Sequence, residues 1–396
     1  MEPGTSGHTR GDRDIVFAAK HFRFTGKYYQ GPYGGKEPTL EDVGTFQLYR
    51  INPDGTRRTH IAPLRGASDT NPKWSPDGRS ILFVRRLAKG EQHVCRCDAE
   101  GQALKVLFRL PKGHPKTIFS AEWLPDGRSV LVALNTEMYE SQQELVVIDA
   151  SRGHRLRTVT GGSNYRLSPD GLYVLLIEEI ETVTGGSNYR YTATLVELST
   201  GKRMVLGEGK WHYADVSWYS SSTLLARRWS AGKGDGPAGY GFLDLQGHFK
   251  QEPLYLEDVV AYTRKERKDE NNPNAQESEL GFGDLVWHRL PRDNKALLVT
   301  AFYHRSDGGY FDVYRVNLKT KKVWLLHRGE LIAVSPSGEK CLVATSDWVG
   351  PYKEFRGGRR CGPLELLSTD LPAGQRVRAG KALTPRLTAF VGGDWR

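Results

Sequence analysis

Long apolar runs are missing from this chain of 396 residues, and no stretch approaches the ~20 residues that a membrane-spanning helix needs. Cysteine is scarce. The four that occur, Cys95, Cys97, Cys341 and Cys361, show no metal-site spacing. Cys95 and Cys97 fall two apart in one predicted strand, so they face the same side and are poorly placed to bond each other. Met1–Gly7 carries no charged-then-apolar leader. The chain as written is therefore expected in the cytoplasm, or in the periplasm or outside if translation starts upstream. Acidic charge is in deficit, with 46 Asp and Glu against 56 Lys and Arg. The resulting net charge of +10 favours acidic partners: anionic glycans, nucleic acid, or an anionic membrane or cell-wall surface.

What is present is turn chemistry. The 44 glycines and 20 prolines suit an all-β protein dense in turns. Trp74-Ser75-Pro76-Asp77-Gly78-Arg79-Ser80 leads into the apolar run Ile81–Val84. Pro76 presets the first central turn position, Asp77 suits the second, and Gly78 takes the positive φ that follows. The run is short and half β-branched or aromatic, which predicts a buried strand. Trp123–Val132 nearly repeats the sequence, and Leu167–Leu176 is a third version.

Each repeat reads as four strands, A to D, with A ending at the Trp position. Degraded copies follow around Trp218, Trp287 and Val334. The last stretch, Leu387–Trp395, looks like a strand A without its B, and Gly11–Phe17 looks like a B without its A. Joined, they make one more unit, which removes the open sheet edges of a linear array. Trp-equivalent positions are spaced by 49, 44, 51, 69, 47 and 61 residues. A four-stranded propeller blade repeats every ~40–45 residues, with the surplus here in insertions. The expected fold is an all-β, seven-bladed β-propeller over residues 12–396 as a single domain, after a flexible segment 1–11. Six blades would follow if the unit from Ala214 were a false repeat.

The Trp-Ser-Pro-Asp-Gly-Arg-Ser turn, its apolar strand and the Tyr49-Arg50-Ile51-Asn52-Pro53-Asp54-Gly55 turn resemble the WD-like repeats of TolB-type β-propellers. The resemblance covers nearly the whole chain. It implies a propeller fold and, as relatives, periplasmic scaffolds, the propellers of prolyl oligopeptidases and oligogalacturonate lyases. No Gly-x-Ser-x-Gly elbow occurs within these residues, so the peptidases' hydrolase chemistry is not expected of them.

In a four-stranded blade the A–B and C–D turns share one face, and the B–C and D–A connections share the other. The insertions fall mainly on the second face, at 21–45, 135–143, 180–192, 229–239, 303–310 and 346–362 as B–C loops and 256–283 as a D–A loop. Long loops grouped on a rigid scaffold mark the expected functional face. Aromatic and basic residues there make candidate partner contacts: Tyr28, Tyr29, Tyr33, Tyr189, Trp229, Tyr310, Trp348, Tyr352, Arg356 and Arg359. The segment Thr158–Arg166 recurs word for word at Thr182–Arg190 on the same face.

Three residues before each Trp position, the pore wall reads Asn71, Ser120, Asn164, Asp215, Asp284, Leu331 and Gly392. Asp215 and Asp284 on neighbouring blades are candidate oxygen ligands for calcium or another divalent cation. An enzyme at the pore mouth would draw on His212, Asp215, Asp284, His288 and His304. The expected function is non-catalytic binding of a protein or glycan partner by a monomer. A polysaccharide lyase of the oligogalacturonate type, or a hydrolase, is the alternative. No nucleic-acid module is visible.

Overall fold

A computed structural model of the protein describes residues 14–30, 36–136, 139–161, 164–180, 190–206, 211–230, 239–251, 281–290, 293–305, 308–320, 322–345, 347–348, 360–369, 381–384 and 388–395. The expected flexible segment 1–11 lies outside these residues. Seven sheets of four antiparallel strands form a ring, and no helix is present among the described residues. Six blades take their strands from consecutive sequence: 68–110, 116–160, 164–206, 211–251, 281–328 and 330–382. These are blades 2 to 7. The unit from Ala214 is a genuine blade, with strands Trp211–Ser220, Thr223–Ser230, Gly239–Asp244 and Phe249–Gln251. The six-bladed alternative is thereby excluded.

Blade 1 closes the ring. Its strands B, C and D are Ile15–Gln30, Lys36–Ile51 and Thr59–Ile61, and its innermost strand is Thr388–Trp395 from the other end of the chain. Ile15 pairs with Trp395 and His21 with Thr388. Gly392 sits at φ +74° beside blade 2, where an added Cβ would lie 2.7 Å from Asn71 Oδ1. Only glycine suits that backbone and that approach.

The core is divided among the seven interfaces between blades. On strand B of blade 2, Ile81 and Phe83 pack toward Val16, Ala18 and Leu48 of blade 1. Leu82 and Val84 pack the other way, toward Val130 and Val132 of blade 3. Both faces of each central strand are covered, so the sequence shows a continuous apolar run in place of alternation. Ile81, Leu82 and Phe83 are fully buried, each contributing ~1.5–3 kcal/mol of transfer free energy. The cluster of Leu342 and Leu364 with Ile15, Phe17 and Trp395 seals blade 7 to blade 1.

The repeated turn takes its expected form. In blade 2 the Gly78 N–H donates to Ser75 O at 2.7 Å, and Asp77 Oδ1 accepts from the Ser75 hydroxyl at 2.6 Å and the Arg79 N–H at 3.0 Å. Gly78, Gly127, Gly171 and Gly338 all have positive φ at this position.

The insertions on the opposite face differ from expectation. Much of what reads as loop continues the strands as hairpins. In blade 1 the ladder runs on through Phe22–Asp42 and Phe24–Leu40 to Gln30–Lys36. Strands likewise reach Thr136 and resume at Tyr139, and reach Arg305 and resume at Gly308. Beyond the blade body only one face of a hairpin is covered. The apolar run therefore gives way to alternation, which reads as a loss of strand signal.

Candidate functional site

The inner strand of each blade has one edge that no strand pairs, so its backbone groups need partners on the channel side. The repeated positions supply them. The Trp123 ring N–H donates to Lys73 O at 3.3 Å, and the Trp218 ring N–H donates to Arg166 O at 3.0 Å. The Asn71 amide donates to Phe119 O at 2.9 Å. The Trp74 N–H donates to the Asp394 carboxylate at 2.8 Å. The Ser120 hydroxyl meets the phenol of Tyr165, which also donates to Glu122 at 2.7 Å. Asn71 and Ser120, read from the sequence as pore polar groups, thus stitch neighbouring blades together. Six of the seven inner strands carry a register shift in this region, which re-aims the side chains there.

The charged level of the channel lies two residues further on, immediately before each Trp position. Asp394, Lys73, Glu122 and Arg166 stand there on blades 1 to 4, alternating in sign. Groups two blades apart feel one another: Glu122 raises the Asp394 carboxyl and Arg166 lowers His288. Burial is the largest influence on Asp394 and pushes it upward, while Lys73 and two backbone N–H groups pull it down. These four charges sum to zero.

His288 lies on the inner strand of blade 6, where its Nε2 is 3.2 Å from Thr300 Oγ1. Burial, with help from Arg166, lowers its pKa to about 4, so the ring is neutral at pH 7. The side chains of His212, Asp215, Asp284 and His304, the other catalytic or metal candidates, lie outside the described residues. Their strands place His212 opposite Trp229 and His304 opposite Gly281. Among the described residues no three His, Cys, Asp or Glu side chains converge as a metal site. The three described cysteines, Cys95, Cys97 and Cys341, are buried free thiols, each pushed up to about 12 by desolvation. They are inert packing groups.

A cleft opens elsewhere, on the B–C/D–A face of blade 1. It has a volume of about 380 Å³ and lies between the B–C hairpin and the connection to blade 2. His21, Gln47, Tyr49 and His60 form its polar wall, Val43 and Leu64 its apolar rim, and Arg65 its cation. Strand pairing explains the wall: Tyr49 sits opposite Phe17 on one side and His60 on the other. The His60 ring stacks on Tyr49 at 5.1 Å and 17°. Arg58, two residues before His60, lies over Tyr49 with its Cζ 4.1 Å from the ring centroid.

The bonding partners fix the tautomers. Arg58 has only donors, so its Nη2–H donates to His21 Nε2 at 2.8 Å. His21 then carries its proton on Nδ1, which donates to Thr388 Oγ1 at 3.2 Å. His60 donates from Nε2 to Gln47 Oε1 at 3.0 Å, leaving Nδ1 as an acceptor. Gln47 in turn donates to Thr45 Oγ1 at 2.7 Å and to Ala67 O at 3.0 Å. Desolvation is the main cause holding both histidines below the usual imidazole value, and Arg58 adds to it. His60 keeps an exposed edge while Tyr49 covers its ring face.

Of the residues expected to contact a partner, Tyr28 stands 61% exposed on the same hairpin, edge-on to Phe24 at 5.2 Å. The side chain of Tyr29 and all of Tyr33, Tyr189, Tyr352, Arg356 and Arg359 lie outside the described residues. So do the side chains of Trp229, Tyr310 and Trp348, although the backbone of Trp348 pairs with Arg360 in a small extra ladder. Sequence reading pointed to the 21–45 insertion but missed the cleft. The alternation of Gln47 with Tyr49, facing Arg58 and His60, is the signal that could have found it.

No family model matches the chain. A stretch of 187 residues, 43% of the chain, is 26% identical to dipeptidyl-peptidase 5 of Porphyromonas gingivalis. The matches span a quarter or less of the length of the curated relatives, both named as peptidases. Among solved structures, an oligogalacturonate lyase from Vibrio parahaemolyticus superposes with a TM-score of 0.54 at 10% identity, over 91% of this chain and 92% of that one. An acylaminoacyl peptidase superposes with a TM-score of 0.52 at 15% identity, over 96% of this chain and 51% of that one. At such identities the likeness establishes the propeller fold alone.

Proposed function

We propose that this protein is a non-catalytic, TolB-like binding propeller that holds a protein or anionic-glycan partner on its B–C/D–A face, acting as a monomer. One observation carries the reading: a cleft with polar walls and the exposed residues Phe24, Tyr28, Val43 and Leu64 lie together on the blade 1 hairpin and its neighbouring connection. A concave site with a few convergent polar groups and an apolar rim is the form a recognition site takes. The net positive charge supports an acidic partner. The described channel residues support no comparable site, since His288 is neutral and bonded to Thr300.

Interferometry against immobilised peptides and oligogalacturonates tests this. Tyr28→Asp with Val43→Asp should weaken binding at least tenfold. Arg79→Ala with Arg128→Ala, on the turns of the opposite face, should leave it unchanged. The reverse pattern would move the site. A rise in ultraviolet absorbance on incubation with oligogalacturonate would show an unsaturated product and make the protein a lyase.

A further inference from the structure

Several arginines of this molecule are answered by an acid. Arg50 meets Asp14 at 3.1 Å, Arg85 meets Asp69 at 2.7 Å and Arg315 meets Asp293 at 2.9 Å. The blade 1 cleft differs from those three sites. Among the described residues no carboxylate lines it, while Arg65 lines it directly and Arg58 sits on two of its wall residues. Among the described residues, the bond to His21 is the one hydrogen bond of the Arg58 guanidinium, and Arg65 has none. Arg58 is also held in place, with its Cζ 4.1 Å from the Tyr49 ring centroid and its Nη2 tethered to His21, which is tethered in turn to Thr388. A guanidinium fixed in this way presents its remaining N–H groups without further loss of rotamer freedom, which suits bidentate recognition of a carboxylate.

We propose that the cleft captures the C-terminal end of a peptide, with the terminal carboxylate on Arg58 and Arg65 and an apolar last side chain against Val43 and Leu64. This rests on the binding reading above and names its ligand. Three features select a peptide terminus over an acidic sugar. Sugar rings seek an open aromatic face, and the Tyr49 face is already covered by Arg58. The rim is apolar, with Val43 49% and Leu64 43% exposed. The Nδ1 acceptor of His60 also stands ready for the N–H of the last residue, because Nε2 is committed to Gln47. Carboxylate, N–H and apolar side chain are the three groups that any peptide ending in an apolar residue offers together.

The test is fluorescence anisotropy with a panel of twenty labelled pentapeptides that differ only in the last residue, each made as the free acid and as the C-terminal amide. Free acids ending in Leu, Val, Ile or Phe should bind at least tenfold more tightly than their amides. Arg58→Ala and Arg65→Ala should each erase at least tenfold of that preference, and Leu64→Asp should abolish selection for an apolar last residue. Arg65 has no partner in the described structure, so its variant keeps the fold and keeps the test decisive. Equal binding of acids and amides, no binding by any member, or Arg58-dependent binding of oligogalacturonate in place of peptide would each overturn the proposal. If acids and amides bind alike while Tyr28→Asp with Val43→Asp still weakens binding, the carboxylate assignment falls and the face assignment stands. If variants of the opposite face weaken binding, the face assignment falls first.

Discussion

Arg85 and Arg58 stand on either side of the short connection from blade 1 to blade 2, and they lead opposite lives. Arg85 is 3% exposed and fully engaged: Nε and Nη2 reach the two oxygens of Asp69 at 2.7 Å, and Nη2 also reaches Ala62 O at 2.5 Å. The pair sits directly opposite across strands A and B of blade 2. Burial raises the Asp69 carboxyl, and the Arg85 fork offsets part of that rise. Arg58 is exposed, stacked on a ring and bonded only to a neutral imidazole. The same side chain serves as a brace where an acid answers it and as a handle where none does. The cleft follows the second rule.

The brace can be broken most severely. Asp69→Ala leaves a buried guanidinium unpaired and should cost ~3–5 kcal/mol, read as a lowered denaturant midpoint at unchanged slope. Asp69→Leu with Arg85→Met should restore most of that loss, because it removes both charges together. If the single variant is benign, the distinction between brace and handle fails.

The channel should show its burial as pH dependence. His288 has a folded pKa lowered from 6.5 to about 4, so the unfolded chain takes up this proton first as pH falls. Stability from this group is complete above about 6.5 and is lost as pH drops through about 4, by at most ~3 kcal/mol. Thermal melts between pH 4 and 7 should show the slope, and His288→Gln should flatten it.

A smaller effect sharpens the account of the inner edges. Trp123→Phe removes the donor to Lys73 O and some ring area, and should lower stability by ~1–2 kcal/mol in urea titrations. The smallest expected change is the most telling. Arg65→Ala should shift stability by less than ~0.5 kcal/mol, since it touches no partner in the described structure, while erasing at least tenfold of the preference for a free C-terminal carboxylate.

The fold was legible because each turn is a local chemical event. Pro76, Asp77 and Gly78 specify their turn whatever the rest of the chain does, and the orphan strands at 11–17 and 387–395 announce the closure. The lengths of the hairpins were not legible, because Phe22, Phe24 and Leu40 alternate with polar residues once the neighbouring blade no longer covers them. The charges at Lys73, Glu122, Arg166 and Asp394 were not singled out from the sequence, because each lies in a strand whose facing could be read only once the blades were assembled. The cleft was hidden for a different reason. His21, Tyr49, His60 and Arg65 come from separate strands and a connection, and only the pairing of Tyr49 with both Phe17 and His60 assembles them. The exposure of Tyr28 was legible because a ring in a long insertion can be placed at the surface without knowing the register.

The shared blade also sets a clock. Thr388, which anchors His21 and through it Arg58, belongs to the strand made last among those described, while His21 belongs to the one made first. During synthesis, at ~5–20 residues per second, blades 2 to 7 emerge in full before the ring can shut. Until then His21 lacks its bond to Thr388, so the arm that holds Arg58 is fastened at its far end only when the ring closes.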